Sequence, residues 1–448
     1  MHHPESKTVH TRGPHREVHR IPVGTRPDLA ALVPALGLVP GVDSFVLLDG
    51  AGWDTRMLAF DPERVLSVES DSPFEKLRSL LTPEEYLGGR VEVHPAAAPS
   101  LFGYLSYDAA RSLECLPDLT EDDLRLPVAR FILPRYVIGA GPEGTWASVP
   151  AGDSTDFILE ALHRSTLLPD AAPAASAGTL RDARSTLGRE GYMEAVERVK
   201  EYVWAGDVFQ VNISQRFEVP FDGDPLALYG ALRRRNPSPF GGMLSFPGLV
   251  AVSSSPERLV DLRGRRASTR PIAGTYPKGA GAALLLDPKE RAEHAMILDL
   301  ERNDLGRTAA YGTVRVEEFM ITETYSHVVH IVSEVVGELA EGRDAVDLLA
   351  GMFPGGTITG CPKVRCMEII EELEPVRRGL YTGSFGYLNL DGSTMDMNIS
   401  IRTILLKDGI AYAQAGGGIV ADSVPTREYR ESVAKAAALL ECLGARVP

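Results

Sequence analysis

The sequence predicts an α+β fold in which strands outnumber helices and pair mainly as antiparallel neighbours. Apolar runs often follow one another through tight turns, such as Lys407-Asp408-Gly409 between the runs 399–406 and 410–415. Consecutive strands joined in this way favour antiparallel sheets over a doubly wound parallel fold. No internal repeat is visible in the sequence.

Composition and charge limit the classes of function. The chain has 448 residues, of which 44% are hydrophobic and 24% charged, as in ordinary globular proteins. This length predicts about two to three domains, or one large body with an extra layer. No apolar run approaches the ~18 residues that span a bilayer. The formal charge of −15 disfavours nucleic acid and anionic membranes as partners but leaves small anionic substrates open.

Four segments follow one another along the chain. Residues 1–20 are polar and His-rich without an apolar signal segment, so we predict a disordered tail. An N-terminal region covers 21–168, and a linker at 169–185 includes the Ala- and Pro-rich run PDAAPAASAGTL. The remaining residues, 186–445, form the predicted catalytic domain.

The cysteines indicate a reducing compartment. Cys115, Cys361, Cys366 and Cys442 are widely scattered, and none forms a CxxC pair. Reduced thiols in a cytoplasmic protein are therefore expected.

Several elements can be predicted from apolar runs and turn residues. The predicted strands are 44–48, 130–133, 209–217, 249–253, 258–262, 313–316, 383–390, 399–406 and 410–415. The predicted helices are 189–205, 288–303, 364–373 and the run that follows Thr426, which we take as the N-cap.

The final helix carries the most informative cluster of charged residues. Glu428, Glu431 and Lys435 fall within about 60° of one another on one helix face. They follow the glycine run Gly416-Gly417-Gly418 closely in sequence. Such a cluster could hold a hard divalent cation and an anionic ligand. A solvated face with salt bridges is the alternative that the pattern alone leaves open.

Other polar segments lie between residues 205 and 435. Glu257 lies at a bend between two apolar runs, and Arg270 to Thr275 exposes backbone amides beside a hydroxyl. The loop 353–360 leads into a helix whose N-terminus suits an anion. A nucleotide P-loop is disfavoured because no Ser or Thr follows Lys363. Zinc binding by His327 and His330 has no supporting ligand motif, and a substrate contact and a core residue are the more common roles.

Nine blocks, in order over about residues 190–441, resemble the chorismate-utilising enzymes. This family includes the large subunits of anthranilate synthase and aminodeoxychorismate synthase, and the isochorismate and salicylate synthases. The blocks are GDVFQVNISQRF, SSSPERLV, TRPIAGT, AEHAMILDLERNDLGR, FPGGTITGCPKVRCMEIIEELEP, GSFGYL, ISIRTI, GGGIVADS and EYRESVAKA. FGYLSYDAARSLE near residues 102–114 also resembles the N-terminal region of the two aminating enzymes. The resemblance implies a sandwich of two large, mostly antiparallel sheets with helices outside and the active site between the sheets.

The resemblance also implies a role for each matching residue. Glu257 would be the general acid that protonates the departing 4-hydroxyl of chorismate. Glu293 and Glu431, supported by Glu428, would hold Mg²⁺, which would anchor the ring carboxylate. The expected ligands of the substrate's carboxylates are Lys435, Arg402, Tyr387 and the amides around Gly416, Gly417 and Gly418. The ring pocket would be lined by Gly274, Thr275 and His294, and His294 is included with Gln210 and Ala273 among the catalytic positions. For Asp299, Arg302, Asn303 and Asp304, a supporting polar network and a direct site role both stay open.

Gln210 indicates the nucleophile. Isochorismate and salicylate synthases resemble one another in carrying a lysine at this position, where it activates water. A neutral glutamine cannot act as that base, so ammonia is the expected nucleophile. In this family a glutamine amidotransferase subunit normally supplies ammonia. The chain has no such module, which implies a separate partner.

The product is predicted from conflicting signals. Aminodeoxychorismate synthases typically have PIKGT, whose lysine attacks the ring, whereas this chain has Ala273 as anthranilate synthases do. FPGGTITG, QVNISQRF and GSFGYLNL are closer to aminodeoxychorismate synthase. The Leu-Glu-Ser and PSPYM elements of the tryptophan feedback site are replaced by Leu48-Asp49-Gly50 and by Pro-Ser-Pro-Phe-Gly at 237–241. We therefore predict an aminodeoxychorismate synthase large subunit in p-aminobenzoate and folate biosynthesis. Anthranilate synthase is the alternative, and a non-catalytic scaffold is disfavoured because the acid and metal positions are present.

Overall fold

The helices and strands cover most of the chain. The computed structural model describes residues 9–10, 16–21, 26–81, 95–167, 181–279, 281–325 and 328–447. Its α-helices are α1 (Leu29–Ala35), α2 (Pro73–Arg78), α3 (Asp156–Ser165), α4 (Gly188–Ala205), α5 (Pro225–Arg235), α6 (Gly281–Leu286), α7 (Pro288–Gly306), α8 (Ala345–Met352), α9 (Lys363–Leu373) and α10 (Pro425–Cys442). Short 3₁₀ turns lie at Ala51–Trp53, Pro95–Ala97, Tyr107–Ser112 and Gly356–Ile358.

The strands are more numerous than the helices. In chain order they are β1 (Val9–His10), β2 (Arg16–Ile21), β3 (Phe45–Leu48), β4 (Arg56–Val68), β5 (Ser100–Leu105), β6 (Ala129–Gly141), β7 (Gly144–Pro150), β8 (Arg181–Asp182), β9 (Arg184–Ser185), β10 (Gln210–Pro220), β11 (Phe240–Phe246), β12 (Leu249–Ser255), β13 (Arg258–Arg263), β14 (Arg266–Thr269), β15 (Ile272–Pro277), β16 (Arg315–Tyr325), β17 (Val328–Glu338), β18 (Gly360–Cys361), β19 (Ser384–Asn389), β20 (Thr394–Asn398), β21 (Thr403–Lys407), β22 (Ile410–Ile419) and β23 (Ala445–Arg446). The pairs between these strands are antiparallel, apart from the short parallel pair β8–β23.

Two antiparallel ladders branch from one long pair of strands. β4 and β6 pair along their length, with a shift of register between Pro62 and Arg64. One half of this pair continues through β3, β11, β12, β21 and β22 to β10. The other half continues through β5, β19, β20, β13 and β14 to β17, which also pairs with β15 and β16. A register shift lets one strand pair serve two differently oriented sheets.

The two ladders face each other across an apolar layer. Val46 and Leu244 of the first ladder belong to the same buried cluster as Phe102 and Tyr387 of the second. Helices α1, α3, α5 and α10 pack on the outer face of the first ladder. Helices α2, α7, α8 and α9 contribute to the cluster on the outer face of the second. The predicted sandwich with helices outside is confirmed.

Most of the predicted elements are present, with different ends. The strand predicted over 399–406 begins only at Thr403, because Arg402 adopts a left-handed backbone conformation with φ of 51°. The final helix begins at Pro425 with Val424 as its N-cap, so the prediction of Thr426 as the cap is wrong. Proline is favoured at the first helical position because its fixed φ fits the helix and its missing N–H is not needed there.

Parts of the predicted tail and linker are described. Residues 16–20, predicted as part of a disordered tail, belong to β2, which pairs with β7. Residues 181–185 of the predicted linker include β8 and β9, which pair with β23 and β10. The rest of the linker, up to residue 180, and His327 lie outside the described residues.

None of the described helices combines the length and the apolar character that crossing a bilayer requires. The four cysteines are free thiols.

Candidate active site

The charged residues of α10 converge on the glycine run of β22. A Cβ atom built on Gly417 would lie 3.6 Å from both Glu431 Oε1 and Lys435 Nζ and 3.9 Å from Glu428 Oε2. Lys435 Nζ forms an ion pair of 2.7 Å with Glu431 Oε1 and donates to the carbonyl of Gly416 at 3.1 Å. Burial raises the pKa of Glu428, and the charge of Glu431 acts in the same direction. The three charged side chains of α10 therefore lie together beside Gly417, as the helical spacing predicted.

Helix α7 brings further carboxyl groups towards this cluster. Burial raises the pKa of Glu293, as does the neighbouring charge of Glu290, while Lys435 and Glu431 of α10 also act on it. Glu290 lies one turn before Glu293, and its pKa is likewise raised by burial and influenced by Glu431. The sequence analysis missed Glu290, although its spacing of three residues from Glu293 places both on one helix face.

These carboxyl groups are chemically suited to bind a hard cation, but they do not form a complete metal site. Their oxygen atoms are the ligands that Mg²⁺ prefers, and their mutual repulsion is what a cation would relieve. Among the described residues, no three His, Cys, Asp or Glu side chains stand close enough together to hold a metal as they are. Assembly of the site would thus require the acids of α7 and α10 to approach one another.

Glu257 lies at the bend between β12 and β13, as the sequence suggested. Its side chain is 7% exposed, and burial raises its pKa to about 7, while the Thr357 hydroxyl opposes this shift. The carbonyl of Glu257 accepts a hydrogen bond of 3.0 Å from the Ile399 amide, which fixes the bend. A carboxyl group with a pKa near neutral is poised to give a proton at physiological pH.

A second buried acid lies behind Glu257. Glu301 of α7 accepts a hydrogen bond of 3.1 Å from the Thr269 hydroxyl, and burial together with the charge of Asp304 raises its pKa to about 8. Asp304 pairs with Lys363 at 2.7 Å. Glu301 was not predicted as a site residue, nor Lys363 as its neighbour, because only the fold brings the end of α7 to the start of α9.

The four polar positions left open on α7 divide into two groups. Asp304 is buried and forms a supporting network with Lys363. Asp299, Arg302 and Asn303 are exposed, and the first two pair with each other at 2.9 Å.

His294 is fully buried between α7 and β17. Its Nε2 lies 2.7 Å from the Ser333 hydroxyl, and burial lowers its pKa to about 4. Its Nδ1 has no hydrogen-bond partner in the part of the chain that the structure describes. The ring is therefore neutral at physiological pH, and its catalytic role stays a prediction.

Gln210 begins β10 and reaches over the glycine run. A Cβ atom on Gly418 would lie only 1.9 Å from Gln210 Nε2, so a larger residue at position 418 would displace the Gln210 side chain. Ala273 on β15 is buried and pairs with Ile331. The next residue, Gly274, has a φ of 65°, and its carbonyl lies 2.8 Å from His330 Nδ1. The side chain of Thr275 is outside the described part of the structure.

Arg402 lies close to the side chain of Tyr381. Burial lowers the pKa of the Arg402 guanidinium, and Tyr381 is the group whose charge opposes this shift. Tyr387, predicted to bind substrate, is buried; Arg263 donates to its hydroxyl at 2.7 Å, and its ring stacks with Phe102. Binding of the substrate by Tyr387 stays a prediction.

This chain is similar to known proteins over most of its length. A family model described as chorismate binding enzyme matches residues 43–441. Anthranilate synthase component 1 of Thermus thermophilus is 47% identical over 378 residues, which cover 79% of this chain and 80% of that protein. Aminodeoxychorismate synthase component 1 of Bacillus subtilis is 45% identical over 362 residues, covering 76% of each.

A solved structure agrees with the architecture. Anthranilate synthase component I from Streptococcus pneumoniae superimposes with a TM-score of 0.74 at 30% identity, covering 86% of this chain and 92% of that one. The isochorismate synthase MenF from Escherichia coli, at 19% identity, has a TM-score of 0.72 over 97% of this chain and 96% of that one, which speaks for the fold alone.

Proposed function

Because this chain belongs to the chorismate binding enzyme family, we propose that it aminates chorismate with ammonia to give 4-amino-4-deoxychorismate. It would be the large subunit of an aminodeoxychorismate synthase. The observation that carries the choice of ammonia is Gln210, a neutral amide where the water-using members resemble one another in carrying a lysine. A buried amide can orient a nucleophile but cannot remove a proton from water.

Glu257 would supply the proton that the leaving group needs. The nitrogen of ammonia forms a bond to the ring, the C4–O bond breaks, and the Glu257 proton converts the departing hydroxyl into water. The proton lost from the attacking nitrogen restores the overall balance, so that chorismate and ammonia yield aminodeoxychorismate and water. Burial of Glu257 supports this role, because it keeps the carboxyl group protonated near neutral pH.

The substrate's carboxylates would be held by cationic and backbone groups. Lys435 lies beside the glycine run, and Arg402 has no carboxylate partner within ion-pair distance in the described part of the chain. Glu293, Glu428 and Glu431 would hold Mg²⁺, which would neutralise the ring carboxylate.

Anthranilate synthase is the second candidate. It would convert chorismate and ammonia to anthranilate, pyruvate and water. Ala273 favours it, since no lysine is available there for covalent attack on the ring, and so do the names of most of the similar proteins. If aminodeoxychorismate is the product, ammonia must reach C4 without that covalent route.

The two elements that correspond to a tryptophan site contact each other directly. Asp49 is buried, and its carboxylate accepts hydrogen bonds from the Tyr229 hydroxyl at 2.9 Å and from Arg233 at 2.7 Å. A Cβ on Gly50 would lie 2.1 Å from the carbonyl oxygen of Pro239, so no side chain fits at position 50. The Asp49 amide also donates to the Gly241 carbonyl at 2.9 Å. These contacts hold the two elements together beside a cavity of about 360 Å³ that Gly52 and Phe240 help to line.

We therefore expect tryptophan to leave the activity unchanged. Ammonium-dependent chorismate consumption would be measured across a tryptophan series, with binding followed by calorimetry. The expected result is neither inhibition nor a heat of binding. Half-inhibition at submillimolar tryptophan would show that these two elements still form a tryptophan site.

A separate glutamine amidotransferase would supply ammonia. The purified chain should consume chorismate with ammonium but not with glutamine, and addition of such a subunit should make glutamine effective. A sheltered route between subunits is favoured because free ammonia is largely protonated in neutral water. Glutamine-dependent activity of the isolated chain would contradict this expectation.

A further inference from the structure

The indole of Trp53 packs against the second of the two elements that correspond to a tryptophan site, residues 48–50 and 237–241. The side chain is fully buried, and its Nε1 donates to the carbonyl of Gly241 at 2.9 Å. The indole ring lies edge-on to that of Phe240, with 5.1 Å between the ring centroids and 90° between the ring planes. It therefore has an aromatic neighbour and an acceptor for its N–H, which are the contacts that a bound indole compound would make.

The segment that carries Trp53 is tied to the second element by its backbone. The segment is a single 3₁₀ turn, Ala51–Trp53, which directly follows the first element. The Gly52 amide donates to the carbonyl of Pro239 at 2.8 Å. The Gly241 carbonyl that accepts from the indole also accepts from the Asp49 amide at 2.9 Å. These bonds hold the turn so that the indole is presented to the second element.

The indole points away from the large cavity beside these elements. Among the described residues, Ala51, Gly52 and Asp54 help to line that cavity of about 360 Å³, whereas Trp53 does not. Trp53 belongs instead to the apolar layer between the sheets, where its ring centroid lies 6.0 Å from that of Phe385 on β19. Loss of the indole would therefore open a space inside the apolar layer rather than widen the cavity.

Contacts lead from Trp53 to the proposed general acid through Arg258. The Arg258 guanidinium lies over the Phe240 ring, 5.0 Å from its centroid, and donates to the carbonyl of Gly52 at 2.8 Å. Both partners belong to the segments that the indole holds together. Because Arg258 follows Glu257 directly in sequence, its position helps to fix the bend that carries the acid.

We propose that the Trp53 side chain is a built-in ligand of these two elements and that its indole positions Glu257 through Phe240 and Arg258. The positioning of Glu257 rests on the proposed function, whereas the role of the indole as a ligand does not. Removal of the indole opens a site of matching shape for a free indole compound. Apolar cavities made by truncating a buried side chain can stay dry and bind small aromatic molecules.

The test compares indole binding by wild type and by Trp53→Ala, using calorimetry and melting temperatures. Alanine keeps the first carbon of the side chain, so the vacated space has the size of indole. We expect indole to bind Trp53→Ala and raise its melting temperature, and to have neither effect on wild type. Without indole, displacement of Glu257 should lower the rate of chorismate consumption about tenfold to a hundredfold. Saturating indole should restore most of that rate.

Trp204→Ala is the control, since Trp204 is exposed and its loss leaves no cavity. It should bind no indole and keep the wild-type rate. Trp53→Leu guards against a folding failure of Trp53→Ala, because leucine keeps an apolar side chain in the layer. Its probe is pyrrole, a single ring with an N–H group like that of indole. Pyrrole should raise the melting temperature of Trp53→Leu but not that of wild type.

Equal binding of indole by wild type and Trp53→Ala would show that the bound indole does not replace the Trp53 ring, which overturns the inference. Folded variants that bind neither probe would overturn it as well. Binding of indole without recovery of the rate would overturn the positioning of Glu257 by Trp53. Failure of the wild type to consume chorismate with ammonium would instead overturn the proposed function, and calorimetry on Trp53→Ala would still decide whether the indole is a built-in ligand.

Discussion

Glu257→Gln should lower the rate of chorismate consumption by about a hundredfold to ten-thousandfold, the usual contribution of a general acid. The glutamine keeps the size of the side chain but has no proton to give to the leaving hydroxyl. Glu341→Gln, an exposed position, serves as the control and should retain wild-type activity. A Glu257→Gln variant with more than about a tenth of wild-type turnover would exclude Glu257 as the acid.

The pH dependence gives the same assignment an independent readout. Because the pKa of Glu257 is about 7, its acid form disappears as the pH rises through that value, and activity should fall with it. Burial raises the pKa of Glu257 from 4.5 to about 7. Between these pH values the Glu257 carboxyl group therefore binds a proton when the chain folds. Stability is therefore lost as the pH rises between these values, and Glu257→Gln should escape this loss. The variant should melt at or above the wild-type temperature at about pH 8, which separates lost catalysis from lost folding.

Removal of divalent metal should abolish most of the activity. A chelator is expected to lower turnover by at least about a hundredfold, because a cation at the ring carboxylate contributes several kcal/mol. Glu431→Ala should weaken Mg²⁺ binding in calorimetry and reduce turnover in step. Glu431→Ala also removes the 2.7 Å ion pair between Glu431 and Lys435. Mg²⁺ binding is therefore a cleaner readout than turnover.

Glu441→Ala on the same helix is the control for the metal prediction, since Glu441 pairs with Arg235. It should bind Mg²⁺ as wild type does. Undiminished turnover in chelator would show that the reaction needs no divalent metal. Equal Mg²⁺ affinity of Glu431→Ala and wild type would show that Glu431 does not bind the metal.

The α10 cluster could be predicted from sequence because it depends on helical spacing alone. Glu428, Glu431 and Lys435 share a face whatever the helix packs against, and a glycine run close by in sequence was visible. Glu257 was found from its local motif. Such features need only a few neighbouring residues to be recognised.

Features that depend on distant pairing could not be predicted. Glu301 lies close to Lys363 only because the fold brings the end of α7 to the start of α9, and nothing in either segment indicates the other. The left-handed conformation of Arg402 is likewise imposed from outside, since arginine does not favour it, and it shortened a predicted strand. Tyr381 and Tyr387 likewise have different arginine neighbours, Arg402 and Arg263, which their local sequence does not indicate. The long β4–β6 pair, from which both sheets branch, is another such long-range feature.

The identity of the product distinguishes aminodeoxychorismate synthesis from anthranilate synthesis. The purified chain would be incubated with chorismate, Mg²⁺ and ammonium, and fluorescence would be followed before and after addition of an aminodeoxychorismate lyase. We expect a product without aromatic-amine fluorescence. Addition of the lyase should then release p-aminobenzoate, which fluoresces. Direct appearance of anthranilate and pyruvate without the lyase would contradict it and would assign the chain to anthranilate synthesis.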